Sequence, residues 1–137
     1  MSVAGPKKAE QAGRPAVLLL DDDQFLLDMY SQKFSQAGFS VNSCFSVDEA
    51  LALLRGGEQP DVILFDILMP NKDGFEFLRT LKEEKLAKGA RLIALTNQSE
   101  EEERKMAEEL GADRYVVKAS LIPSEVVNMV QEEISKR

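Results

Sequence analysis

The sequence has no histidine, no tryptophan and a single cysteine, Cys44. Without histidine the chain has no Ser-His-Asp or Cys-His catalysis, no histidine-ligated zinc and no phosphohistidine of its own. If it handles phosphoryl groups, the histidine belongs to a partner. One cysteine cannot form an internal disulfide, which makes a cytoplasmic setting the expectation. The longest purely apolar run is Ala16–Leu20, against the roughly 20 residues a membrane span needs. The first fifteen residues carry Lys7 and Lys8 but no apolar stretch of the signal-peptide kind, so no membrane partner is expected. Cations are also in deficit: 17 Lys+Arg against 24 Asp+Glu leave a formal charge of −7. Nucleic-acid binding, which needs a concentrated basic face, is not expected.

What remains is 137 residues, 44% hydrophobic and 30% charged, the make-up of one globular domain. A chain of this length buries roughly two-thirds of its unfolded surface, enough for a core without staples. Residues 1–14 are small, polar and basic without periodicity and read as a disordered leader; residues 15–137 read as the folded unit. There, short apolar runs alternate with helical patterns, the signature of an α/β fold with a parallel sheet covered on both faces.

The first strand, Ala16 to Leu20, stops at Asp21, Asp22 and Asp23, with Asp23 a helix cap. Leu26, Tyr30 and Phe34 mark the first helix, ending at Ala37-Gly38. A second strand spans about Phe39 to Cys44. Ser46 and Glu49 form a capping box opening a helix that ends at Gly56-Gly57. The third strand, Asp61 to Phe65, stops at Asp66, and Gly74 precedes a helix with Phe75, Leu78 and Leu81 on its apolar side. The fourth, Arg91 to Leu95, stops at Thr96. Ser99 and Glu102 suggest a second capping box, with the acid run Glu100 to Glu103 at the positive end of the helix dipole. The fifth strand, Arg114 to Val117, stops at Lys118, and the last helix follows Pro123 with Val126, Val130 and Ile134.

Asp21, Asp22, Asp66, Thr96 and Lys118 therefore fall at the carboxyl ends of strands, the edge where open α/β sheets bind ligands. Adjacent carboxylates repel unless a cation neutralises them, and oxygen ligands favour Mg²⁺, Mn²⁺ or Ca²⁺ over softer metals. A carboxylate can also accept a phosphoryl group, whose equatorial charge calls for positioned cations and donors. Any one of these residues has a bland reading as a turn, cap or solvated charge. Their convergence from separate strand ends is what points to a site.

Val17-Leu-Leu-Leu-Asp-Asp-Asp23, Asp66-Ile-Leu-Met-Pro-Asn-Lys-Asp-Gly74, Leu95-Thr96 and Tyr115-Val-Val-Lys118 together resemble the receiver domain of two-component response regulators, over residues 16 to about 135. The resemblance implies a flavodoxin-like sheet of five parallel strands in the order 2-1-3-4-5. It further implies Asp66 as phosphoacceptor, Asp21 and Asp22 with Asp66 as the Mg²⁺ acids, Thr96 as switch hydroxyl, Tyr115 as switch aromatic and Lys118 as phosphate-binding lysine. The implied partner is a sensor histidine kinase or histidine phosphotransfer protein; an acidic surface with apolar spots on the last helix suits a downstream target protein or a second copy equally. The expected output face is the fourth helix, fifth strand and fifth helix. Thr96 and Tyr115 would form a bistable element, the hydroxyl moving toward a phosphoryl oxygen and the ring filling the vacated space.

Two residues depart from the family pattern. Asn97 follows the threonine in place of the usual small residue, and Asn97→Ala is expected to change the lifetime of phospho-Asp66. Ala119 follows the lysine in place of the usual proline, leaving Lys118-Ala119 either a costly cis bond or a trans bond in a rebuilt loop. The favoured reading is a stand-alone receiver that catalyses its own phosphorylation and dephosphorylation, with a domain excised from a longer protein left open. The alternatives are a pseudo-receiver that binds partners without phosphorylation and a small haloacid-dehalogenase-like phosphatase with Asp21 as nucleophile.

Overall fold

The computed structural model describes residues 13–97 and 99–136; most of the expected leader, residues 1–12, lies outside them. In chain order the elements are β1 (Ala16–Leu20), α1 (Gln24–Gln36), β2 (Ser40–Cys44), α2 (Val47–Arg55), β3 (Val62–Asp66), α3 (Gly74–Glu84), β4 (Arg91–Thr96), α4 (Glu101–Glu109), β5 (Arg114–Val117) and α5 (Pro123–Ser135). A 3-10 turn, Lys118–Ser120, joins the last two. Every strand pairing is parallel and the order is β2-β1-β3-β4-β5, the flavodoxin-like arrangement expected.

Side chains alternate across a strand, so each central strand feeds both faces of the sheet. Leu18, Leu20, Ile63, Phe65 and Ala94 point to a core closed by α2, α3 and α4, through Leu51, Phe77 and Ala107 among others. Val17, Leu19, Val62, Leu64, Ile93 and Leu95 point the other way, against Leu27, Tyr30 and Phe34 of α1 and Val126 and Val130 of α5. This is why β1 and β3 read as unbroken apolar runs. The edge strand β2, Ser-Val-Asn-Ser-Cys, is polar and only Cys44 is buried in it, as suits a strand with an unpaired side.

Helix starts show where local pattern and tertiary structure part. Asp23 caps α1, its carboxylate accepting the Leu26 amide at 3.2 Å. Ser46 accepts the Glu49 amide as expected, but the Glu49 carboxylate reaches back to the Phe45 amide, one residue beyond the cap itself. The Ser99–Glu102 box does not form. The cap residue of α4 is Glu100, with no side-chain cap bond of its own, and its amide donates instead to the phenol of Tyr115 at 3.3 Å. Phe77 is the fully buried aromatic of α3, Phe75 only half-buried.

The segment after α3 is built on left-handed backbone. Lys85 terminates the helix at φ 56° and Ala87 follows at φ 55°, while the Leu86 amide closes back on Leu81 at 2.9 Å. This is the hydrogen-bond pattern of a helix end that normally carries glycine. Each non-glycine residue in that region costs about 1–2 kcal/mol.

Candidate functional site

Strand register assembles the site. Leu20 pairs with Phe65, so the next residues, Asp21 and Asp66, leave the two central strands side by side. Asp66 in turn pairs with Leu95, just before Thr96, and Thr96 pairs with Val117, just before Lys118. A one-residue slip in any strand would turn that side chain to the other face of the sheet.

Asp21 and Asp66 are each only 3% exposed and Thr96 is 1%; Asp22 faces solvent. The Lys118 ammonium lies 2.8 Å from Asp21 Oδ2 and 3.3 Å from Asp66 Oδ2. Asp21 Oδ1 accepts the Asp23 amide at 2.9 Å, so both its oxygens are engaged. Asp66 Oδ1 is buried and has no hydrogen-bond partner. An orphaned buried acceptor is rare and costly. Burial is the largest influence on the Asp66 carboxyl; with repulsion from Asp21 it outweighs the Lys118 charge and pushes the pKa up to about 6. Lys118 responds in the opposite sense: burial disfavours its charge, but the hydrogen bond and charge of Asp21, then Asp66, hold its pKa above the ordinary lysine value.

Asp21 and Asp66 thus share one ammonium, with Asp22 alongside them. Oxygens from Asp21, Asp22 and Asp66 all lie within 4.8 Å of one another, close enough to bind one cation together. The donor set is all carboxylate, so the residues fit a hard divalent ion.

The stretch between Asp66 and Gly74 holds the site from below. The Gly74 amide donates to Ile67 O at 2.8 Å, and a β-carbon at Gly74 would lie 2.8 Å from both Asp66 O and Ile67 Cα. Only glycine lets the chain return this closely behind Asp66. Asp73 caps α3 by accepting the Glu76 amide at 3.0 Å, Asn71 takes the left-handed turn position at φ 69°, and the Leu68 amide lies near the Asp66 carboxyl.

Thr96 ends β4 with its hydroxyl facing the Tyr115 phenol. The phenol also donates to the Glu103 carboxylate at 2.6 Å. Burial, then Glu103, raises the Tyr115 pKa. Asn97 is exposed. Lys118-Ala119 is trans, since no described peptide bond is cis, and the 3-10 turn is the rebuilt loop that carries it. Sequence reasoning did not find Glu103 as Tyr115's partner, the Leu68 amide or the reason for Gly74. Each depends on tertiary approach and leaves no trace in periodicity.

A parallel sheet in this order, with buried acids and a lysine at its carboxyl edge, defines a receiver-type signalling domain. Residues 17–131 match the response regulator receiver domain family, and the chain belongs to it. It is 36% identical to the transcriptional regulatory protein CpxR of Klebsiella pneumoniae over 102 residues, covering 74% of this chain and 42% of that protein. With the response regulator SaeR of Staphylococcus aureus the identity is 31% over 120 residues, covering 88% and 50%. The chain spans half or less of the length of these curated relatives. Among solved structures, a CheY-like receiver domain protein from Methanospirillum hungatei superimposes with a TM-score of 0.82 at 26% identity, over 90% of this chain and 96% of that one. The chemotaxis protein CheY4 of Vibrio cholerae gives 0.81 at 28%, over 88% and 98%. No described helix is long and apolar enough to cross a membrane.

Proposed function

We propose that residues 15–137 form a phosphoacceptor unit in which Asp66 takes a phosphoryl group from the phosphohistidine of a kinase or phosphotransfer partner. The observation that carries this reading is the unpartnered, buried Asp66 Oδ1, beside Asp21, whose two oxygens are occupied. The free oxygen belongs to the residue that attacks; the haloacid-dehalogenase reading needs it on Asp21. An Asp66 oxygen bonds to phosphorus as the donor N–P bond breaks, and the departing imidazole keeps the electron pair and takes up a proton. Lys118, held over both carboxylates, neutralises charge on the phosphoryl oxygens. Mg²⁺, held by Asp21, Asp22 and Asp66, would supply the remaining positive charge and order the transferred group.

Phosphorylation would then reach the surface through Thr96. Its hydroxyl faces the Tyr115 phenol, and Tyr115 is bonded to the start of α4 through Glu100 and Glu103. A phosphoryl oxygen competing for the Thr96 hydroxyl therefore disturbs the α4 start, and the α4–β5–α5 face is the output surface for a target protein or a second copy. Intact mass after incubation with Mg²⁺ and a small-molecule phosphodonor tests the acceptor: one added phosphoryl group in wild type and none in Asp66→Asn is expected. An unmodified wild-type chain in Mg²⁺ would support the pseudo-receiver reading instead.

A further inference from the structure

At the edge of the sheet opposite Asp66, the end of α3, the start of β4 and the turn after α4 enclose a groove of about 260 Å³. Leu78, Leu81 and Leu110 lie in its apolar lining, with Lys82, Lys85 and Lys88 around them. The three ammonium groups have no ion pair among the described residues, although acids flank them in sequence. Glu84 is engaged elsewhere, in a two-pronged bond to Arg55 of α2. Lys85 also occupies a left-handed position that glycine would fill without strain. Backbone geometry therefore gives no reason for a lysine there.

The shape and charge of the groove narrow its occupant. Its volume is below the roughly 300–1,000 Å³ of small-molecule pockets, so it suits the apolar side chains of a docked segment. The whole chain carries −7, which makes three unpaired lysines a positive island. An acidic partner is repelled by the rest of the surface and oriented toward this groove. A second copy, carrying the same net charge, is disfavoured overall. We propose that this groove docks an acidic amphipathic helix of a partner protein, its apolar side chains on the leucines and its carboxylates on Lys82, Lys85 and Lys88.

The probe is a labelled synthetic helix of about 14 residues with leucines at i, i+3, i+4 and i+7 and glutamates elsewhere, followed by fluorescence anisotropy. Saturable binding to wild type is expected, weakening as salt rises. It should fall at least tenfold in K82E/K85E/K88E and be lost when the probe's leucines become serines. Amide shifts on adding the probe should centre on Leu78, Leu92 and Leu110. Asp66→Asn should bind as wild type does, so the result stands apart from the phosphoacceptor reading. Absence of saturable binding, equal binding by the triple variant, or shifts centred elsewhere would overturn the proposal. So would a concentration-dependent dimer that disappears in the triple variant, since that assigns the groove to a second copy.

Discussion

Two buried clusters of acid and base lie at opposite edges of one sheet, made of the same kinds of group with opposite balance. At the strand starts, Glu133 of α5 is 2% exposed yet receives Arg91 at 2.9 Å, Arg114 at 3.0 Å and Lys136 at 3.3 Å. Burial alone would raise its pKa, but these hydrogen bonds outweigh burial and hold it below the ordinary carboxylate range. At the strand ends, three acids cluster with Lys118 reaching two of them, one oxygen has no partner, and the Asp66 pKa rises to about 6. A buried carboxylate whose partners close around it ties elements together. One whose partners do not close is held ready for something that arrives later.

The largest effect expected from this contrast is at the satisfied cluster. Glu133→Gln keeps the shape but leaves Arg91 and Arg114 without their carboxylate, which is expected to cost about 3 kcal/mol by urea unfolding at neutral pH. Because Glu133's folded pKa is depressed below 4.5, its contribution is full above the unfolded value and lost as pH falls through the folded one. The gap between wild type and variant should therefore narrow at acid pH. A variant as stable as wild type at pH 7 would erase the distinction between the two clusters.

At the unsatisfied cluster the sign reverses. Asp66→Asn, with Mg²⁺ chelated, should stabilise the fold by about 2–3 kcal/mol, since a shift from 3.8 to about 6 corresponds to roughly 1.4 kcal/mol per unit. A raised carboxyl pKa means that the ionised form is penalised. The gain should be full above pH 6 and fade as pH falls toward 3.8. Mg²⁺ should partly replace the mutation: at about ten times its Kd it adds roughly 1.4 kcal/mol to wild type. The increment should be absent in Asp21→Asn and unchanged in Glu133→Gln, measured by thermal unfolding with and without the ion.

The two clusters also differ in how far the sequence revealed them. Asp21, Asp22, Asp66, Thr96 and Lys118 each end an apolar run, and a strand end in a parallel sheet has a fixed place, so position alone placed the set at one edge. Glu133 gave no such sign. It lies in a helix between Glu132 and Ile134 and reads as one more surface acid, because its burial is decided by Arg91 and Arg114 arriving from strand starts far away in sequence. The helix caps divide in the same way. Asp23 and Asp73 serve their own helices through the local chain. The α4 cap comes from β5, so Ser99 and Glu102 were a local pattern that tertiary structure overrode.

That override sets up the smallest and most local prediction, which asks whether the unsatisfied site reaches beyond its own carboxylates. Tyr115→Phe removes one hydroxyl that accepts the Glu100 amide, donates to Glu103 and meets Thr96. With no other side-chain cap on α4, losing it should cost about 1 kcal/mol, the usual value of a helix cap. Because the bond lies at one end of one helix, the loss should appear as faster amide exchange in the first turn of α4, with α1 and α5 unaffected. Asp66→Asn should leave that exchange unchanged without phosphodonor, since the phenol keeps its bonds to Glu100 and Glu103. Phosphorylating wild type should accelerate it in the direction of Tyr115→Phe, whereas phosphorylating the variant should add little. Equal acceleration in both proteins would mean that the signal leaves Asp66 by a route other than Thr96 and Tyr115.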